Sequence, residues 1–584
     1  MWAPIMSTSE QPVDPAEPSG GQRPFDALTL TSEIARVANH FFQSLPGAAP
    51  AAPSAASLGA GGLSPAASLP PFPGFVQEPP IASAPLLRES DLRPGLTLLA
   101  DQAGLSSPAA LSPAAAPDQA PYFMALAGLP AGLQPPAPHA ALPASAAPST
   151  SGLPTSFPGT FEVTEHRPPA VASSSRIFDP RLLKRDFPIL SERVHGKPLV
   201  WLDNAATTQK PNAVIDRLAH FYRHENSNIH RAAHELAARA TDAYEGARKT
   251  VARFLNAPSP QNIVFTRGAT EAINLVAQSW GRRNVGPGDE IVITWLEHHA
   301  NIVPWQMLAA EKGAKLRVAP VDDRGQVILE EYEKLLGPRT RLVSLTQVSN
   351  ALGTVTPAKD MVAMAHRHGA HVLVDGAQAV LHMPVDVQDL DADFYVFSGH
   401  KIFAPTGIGA LFGRGSVLDS MPPWQGGGNM INDVTFEKTT YQPPPFRFEA
   451  GTGNIADAVG LGAALDYVSA VGLENIRRHE HELLVYGSER LACVPGLRLL
   501  GTASEKAGVF SFVIDGLRTE DIGGALDQEG IAVRSGHHCA QPILRRLGVE
   551  HSVRASLALY NGRDDIDALV AALLRLTAGR PRTR

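Results

Sequence analysis

The chain has 584 residues, a formal net charge of −7 and two cysteines. That length allows two to four domains, two thiols cannot build a disulfide framework and suit a reducing, cytoplasmic setting, and the acidic balance gives no electrostatic reason to expect nucleic acid. The N-terminus, MWAPIMSTSEQPVDPAEPSG, has no basic start and no continuous apolar core, and no charge-free apolar run of about 18 residues escapes proline, so neither a secretory leader nor a membrane span is expected.

Composition divides the chain. Of 51 prolines, 30 fall in residues 1–170, and the first lysine is Lys184. Proline removes backbone donors and breaks helices, and a stretch such as PGAAPAAPSAASLGAGGLSPAASLPPFPG buries too little apolar surface to offset chain entropy. Residues 1–175 are therefore expected to be mostly disordered. Three apolar islands interrupt them: 30–47, 86–104 and 121–132. In the first, Ile34, Val37, Phe41 and Leu45 share one helical face, and Pro46-Gly47 ends it. Such islands are either docking motifs that fold on binding or local structure with no partner.

From about Phe187 the runs NIVFT, EIVIT, RLVSLTQV, HVLVD and DFYVFS alternate with helical stretches such as EAINLVAQSWGRR and AKDMVAMAHRHG. This pattern predicts an α/β domain with a mainly parallel sheet, whose ligands bind at the carboxyl ends of the strands. The unusual residues lie there. In IVFTRGATEAINLV, Gly268, Ala269 and Thr270 form a glycine turn at a helix start, where backbone N–H groups and a hydroxyl can meet an anion. His298 and His299 follow a strand in TWLEHHANIVPW, placed to stack on a flat ring or to line a pocket. Asp375 ends the strand of VLVDGAQAV, as a helix N-cap or as the partner of a cation. Lys401 follows a strand through Ser398-Gly399-His400. A lysine is usually at the surface, but burial at such a strand end lowers its pKa and makes a Schiff-base lysine. Last, VRSGHHCAQP carries Cys539. A free thiol is usually a small buried hydrophobe, yet polar, cationic and flexible neighbours are those of a nucleophile.

The order and spacing of these motifs resemble fold-type I pyridoxal-phosphate enzymes. Residues from about 180 to 580 resemble, more closely, a group II, SufS-type cysteine desulfurase, through LDNAATTQKP, NIHRAAHELA, TRGATEAINLVA, EHHANIVPWQ, VLVDGAQAV, DFYVFSGHKIFAPTGIG, PPWQGGG, RFEAGTGN, AVRSGHHCAQP and RASLALYN. The resemblance implies an α/β transferase fold with a large cofactor-binding domain, 176–460, and a small domain carrying the thiol loop, 461–584. It implies pyridoxal 5'-phosphate held covalently by Lys401, with Asp375 at the pyridine nitrogen, Gln378 at the ring oxygen and His298 stacked on the ring as a possible acid or base. Ala269, Thr270, Ser398 and His400 would hold the phosphate, joined by Thr452 from the second subunit of a homodimer. Asn350 and Arg554 would clamp the carboxylate of L-cysteine, and Arg534 would orient substrate or loop near Cys539, which would take the sulfur as a persulfide. No metal is implied. Gly453 stands where the family motif often has proline.

The alternatives of a selenocysteine lyase, or of a desulfurase feeding iron–sulfur assembly whose tail binds a soluble acceptor, share this site. The lysine-free tail resembles instead that of the desulfurases that are cargo of family 2 encapsulin nanocompartments. That resemblance implies a shell protein as partner of the N-terminal region, and a cytoplasmic enzyme inside a shell.

Overall fold

The computed structural model describes residues 178–230 and 234–578; the expected disordered region, 1–175, and its three islands lie outside these. The strand runs do form one sheet: β1 (Ile263–Thr266), β2 (Glu290–Thr294), β3 (Lys315–Ala319), β4 (Thr340–Thr346), β5 (His371–Asp375), β6 (Phe394–Ser398) and β7 (Gly409–Gly413). Their spatial order is β1–β7–β6–β5–β4–β2–β3. Strands β2 to β6 pair in parallel, while β7 runs antiparallel to both β6 and β1.

A parallel sheet must be covered on both faces, and the side chains obey the two-residue period of a strand. Val292, Val343, Val374 and Tyr395 join one buried cluster, whereas Ile291, Leu342, Leu373 and Phe394, each one position away, join another. Because β2, β4, β5 and β6 run the same way, their last residues, Thr294, Thr346, Asp375 and Ser398, share one edge.

Around the sheet lie α1 (Asn212–His224), α2 (Glu235–Phe254), α3 (Ala269–Val276), α4 (Val303–Lys312), α5 (Ile455–Val471) and α6 (Leu473–Leu491). Helix α5 crosses position 460, where the sequence suggests a domain boundary. It is apolar nearly all round, as a buried helix must be. A Cβ on Gly462 would come within 3.1 Å of Ala247 Cα, so glycine is what lets α5 lie close against α2. Among the described residues no single helix is long and apolar enough to cross a membrane.

A second, antiparallel sheet takes β8 (Leu497–Leu500), β9 (Val509–Ile514), β10 (Arg534–Gly536) and β11 (Ser552–Ser556) in the order β8–β9–β11–β10. The early segment Val200–Trp201 pairs in parallel with Ile531–Ala532, and Asp203 bridges to Ser556. That pairing delivers the LDNAATT motif to the strands flanking the thiol loop.

Candidate active site

Lys401 ends the 3₁₀ turn Gly399–Lys401 that leaves β6, and Asp375 is the last residue of the neighbouring β5. Asp375 is 4% exposed. Burial raises its carboxyl above the usual range, opposed by the charge of Lys401 and the Ala377 N–H, which donates to Oδ1 at 2.9 Å. Burial pulls Lys401 down to about 8 against the pull of Asp375. The two groups feel each other, yet no ion pair joins them among the described residues. Buried charges are ordinarily paired or bound to a further group, so an amine and a carboxylate that do not bridge suit a polar group able to meet both.

His298 starts the turn after β2. Its Nδ1 accepts the Ala300 N–H at 3.0 Å, so the neutral ring carries its proton on Nε2. Burial, then the charge of Lys401, lowers its pKa to about 3, so the ring is neutral at working pH. Burial likewise brings His400 to about 4. A neutral imidazole with its proton on Nε2 can stack or donate from that nitrogen; it has no free lone pair there to take a proton.

The glycine turn is built as the motif suggests, with one change. Gly268 has φ +153°, and a Cβ there would sit 3.1 Å from Ser398 Oγ. This close approach lets the Ala269 N–H donate to Ser398 Oγ at 2.9 Å. The N–H of Ala269 is therefore engaged, and the Ser398 hydroxyl is left to donate its proton to an anion. Thr270 lies exposed in the first turn of α3. Gln378 is buried, and its Nε2 donates to Ala205 O at 2.7 Å, which fixes its amide and leaves one further N–H.

Cys539 sits between β10 and α7 (Gln541–Arg546) on a strained corner. His538 and Cys539 take φ of 52° and 54°, the left-handed region that costs a side-chain-bearing residue free energy and is kept where the surroundings enforce it. The surroundings do enforce it. The His299 N–H donates to Cys539 O at 2.8 Å, Asn350 Nδ2 donates to His538 O at 2.7 Å, and the His538 ring shares a 2.9 Å hydrogen bond with Ser552 Oγ. Cys539 is half-buried with a free thiol. It lies within electrostatic reach of both Lys401 and Arg554.

Arg554, in the middle of β11, is 2% exposed. Nη1 donates to Asn350 O at 2.9 Å and Nη2 to Asp203 Oδ1 at 3.2 Å, but its buried Nε has no partner among the described residues. Burial lowers its pKa to about 10, against Asp203. Arg534, half exposed, reaches the other oxygen of Asp203 at 3.1 Å. Asp203 is thus the anion that holds the two arginines together, and no pattern in LDNAATT marks it out.

Thr452 is not gathered into this group. It is exposed, in a pocket of about 530 Å³ with Arg267, Gly407, Trp424 and Glu449. Its segment is anchored by Glu449, which accepts from Arg248 Nη2 at 2.9 Å, from Arg248 Nη1 at 2.6 Å, from the Phe265 N–H at 2.8 Å and from Tyr244 Oη at 3.1 Å.

The edge of the sheet, the buried lysine–carboxylate pair and the thiol corner define a cofactor-dependent enzyme fold of the class-V aminotransferase type. The aminotransferase class-V family model matches residues 200–569, and the chain belongs to that family. A cysteine desulfurase of Synechococcus elongatus is 68% identical over 402 residues, 69% of this chain and 64% of that protein. A cysteine desulfurase of Escherichia coli, solved as an S-sulfonic acid, superimposes with a TM-score of 0.64 at 41% identity, covering 68% of this chain and 98% of that one. A C-DES variant with glycine covalently linked to its pyridoxal-phosphate cofactor gives a TM-score of 0.58 at 26% identity, covering 67% of this chain and 98% of that one. The match spans 64%, 60% and 66% of three curated relatives' own lengths.

The family's cofactor is pyridoxal 5'-phosphate, and the residues present fit it. Lys401 offers an amine for its aldehyde and Asp375 a buried carboxylate for its ring nitrogen, and the free Ser398 hydroxyl and the turn at Gly268 suit a phosphate.

Proposed function

We propose that the protein is a cysteine desulfurase converting L-cysteine to L-alanine and taking the sulfur onto Cys539. The observation that carries this reading is the placing of a free thiol on an enforced corner beside Lys401 and Arg554. Lys401 would hold the cofactor, with Asp375, Gln378 and His298 around its ring and Ser398, His400 and Thr270 around its phosphate, the Ala269 N–H serving to orient the Ser398 hydroxyl. The bound cofactor supplies an electron sink that makes the substrate's Cα–H acidic and its Cβ–S bond breakable.

The chain's own residues do the rest. Arg554, with its unpartnered Nε, and Asn350 bind the substrate carboxylate; a guanidinium suits that shape. The Lys401 amine moves the proton at Cα. The Cys539 thiolate attacks the substrate sulfur: an S–S bond forms, the Cβ–S bond breaks, its electron pair goes to the carbon side, and Cβ takes a proton. Cysteine plus thiol thus becomes alanine plus persulfide, with no outside oxidant.

The pKa of Lys401 gives this reading a test. Only the unprotonated amine can capture the cofactor's aldehyde, and below about 8 its free fraction falls tenfold per pH unit. The initial rate of cofactor uptake by apo-protein, followed by absorbance, should rise with pH up to about 8 and level off above it. A rate flat from about pH 6 to about pH 9, one to two units around that value, would contradict the assignment of Lys401.

The group II character, the homodimer completed by Thr452 and the cytoplasmic encapsulin shell belong to the same proposal. The exposure of Thr452 beside an open pocket supports the dimer. The lysine-free, proline-rich composition of residues 1–175 with its sparse apolar islands supports a tether to a shell, two per dimer adding avidity. Sulfur would then collect in the lumen or pass to an acceptor protein. Fusing residues 1–175 to a fluorescent protein and co-expressing a family 2 shell should give fluorescent shells. An enzyme lacking 1–175 that is still packaged at normal levels would overturn the role given to residues 1–175 as the tether.

A further inference from the structure

Glu297 immediately precedes His298, is 0% exposed and has three donors on its carboxyl group. Thr294 Oγ1 donates to Oε1 at 2.6 Å, the Thr346 N–H to Oε1 at 3.1 Å, and Asn301 Nδ2 to Oε2 at 2.6 Å. Asn301 is fixed in turn, because its Oδ1 accepts from Trp305 Nε1 at 2.9 Å and from Ser344 Oγ at 2.6 Å. Thr294 is the last residue of β2, Ser344 and Thr346 belong to β4, and Trp305 to α4. The side chain therefore ties together the elements on both sides of the turn that carries His298.

A buried carboxyl costs several kcal/mol to desolvate unless it has work that repays it. Packing alone would be served by leucine or methionine. Burial lifts the Glu297 pKa to about 8, with the three donors opposing, and Asp375 is near enough to be felt.

We infer that Glu297 is a positioning residue, its carboxyl clamping the turn after β2 to β4 so that the His298 imidazole is held at one height and angle beside Lys401. This inference rests on the desulfurase reading for its kinetic arm only. A displacement of about 1 Å at a reacting group costs about 10²-fold in rate, so the clamp has leverage although Glu297 touches neither substrate nor cofactor.

Glu297→Gln is close in shape but wrong in hydrogen bonding. If Oε1 keeps Thr294 and Thr346, the new amide nitrogen faces Asn301 Nδ2, donor against donor. Asn301 cannot turn over, because Trp305 would then lose its acceptor. Combining Glu297→Gln with Asn301→Asp restores every donor–acceptor pair and keeps one carboxyl in the cluster.

The experiment uses the full-length holoenzyme. Glu297→Gln should lower kcat for cysteine by about 10- to 100-fold with KM little changed, and should alter the circular dichroism of the bound cofactor's absorption band in the direction that His298→Ala does. Added to His298→Ala, Glu297→Gln should cost nothing further in kcat, since residues acting through one group are not additive. The double variant that pairs Glu297→Gln with Asn301→Asp should recover most of kcat and the native band. Full additivity with His298→Ala, an unchanged cofactor band in Glu297→Gln, or no recovery in the double variant would each overturn the inference. Should the wild-type protein release no alanine, the desulfurase reading fails while the cofactor-band comparison still decides the role of Glu297.

Discussion

Replacing Cys539 with alanine should lower alanine and sulfide production from cysteine by about three orders of magnitude or more, the usual scale for removing a nucleophile, while the cofactor stays bound. The geometry supports both halves. The corner bearing Cys539 is held by hydrogen bonds from the His299 backbone N–H and the Asn350 side-chain amide to its carbonyls, neither of which involves the thiol, so the loop and the pocket should survive the change. Among the described residues, no hydrogen bond of the Cys539 thiol supports the cofactor residues Lys401, Asp375 or Ser398. The chain's second thiol provides the control. Cys493 is exposed at the end of α6, its Sγ within 3.5 Å of Glu489 O, and Cys493→Ala should leave the rate unchanged. Steady-state alanine formation and the cofactor's absorbance, measured on both variants, decide it. Full turnover in Cys539→Ala would remove the persulfide step from the account.

Glu449→Ala should destabilise the fold by about 1–3 kcal/mol, the cost of leaving buried donors without their acceptor, while Arg248 keeps Glu245 at 3.0 Å. The Arg248 side chain is 1% exposed and that of Glu449 7%, so water cannot replace the lost partner. Three aromatic rings, Tyr244, Phe265 and Phe446, lie 5.2, 4.7 and 5.7 Å from the guanidinium; they shield the charge, and Glu245 alone would be left to balance it. Glu449 also accepts the N–H of Phe265 in β1, so its loss frees the segment that presents Thr452. Thermal melting should therefore show a lower midpoint, and, for the proposed homodimer, sedimentation should show weaker association at equal concentration. A variant as stable as the parent would show that the pair contributes little. A fully active monomer, in either protein, would refute the contribution of Thr452 to a partner's site.

The motifs that can be read from the chain are those whose chemistry is local. Asp375 and Lys401 each follow an apolar run that has to be a strand, and parallel strands deliver their last residues to one edge wherever they lie in the order. Asp203 is not legible, because its role depends on arginines 331 and 351 residues away, reached through a two-residue pairing too short to leave a pattern. Glu297 is hidden for a related reason: its partners Thr294 and Asn301 are neighbours in sequence, but Thr346 comes from another strand. The segment around Gly409 reads as a flexible turn. It forms β7, because Gly409 lies so close to Phe397 O and Gly268 that a Cβ would stand 2.4 and 2.6 Å from them. Glycine there permits tight packing, where the sequence alone suggests freedom.

In the proposed reaction, sulfur passes to Cys539. The direct measurement is mass spectrometry of the holoenzyme mixed with one equivalent of L-cysteine in the absence of reductant, with peptides mapped after alkylation. The account predicts one additional sulfur atom on the peptide containing Cys539, none on that containing Cys493, and alanine formed in equal amount. Alanine formed at the full rate while Cys539 remains an unmodified thiol, or the extra sulfur found on Cys493, would contradict it.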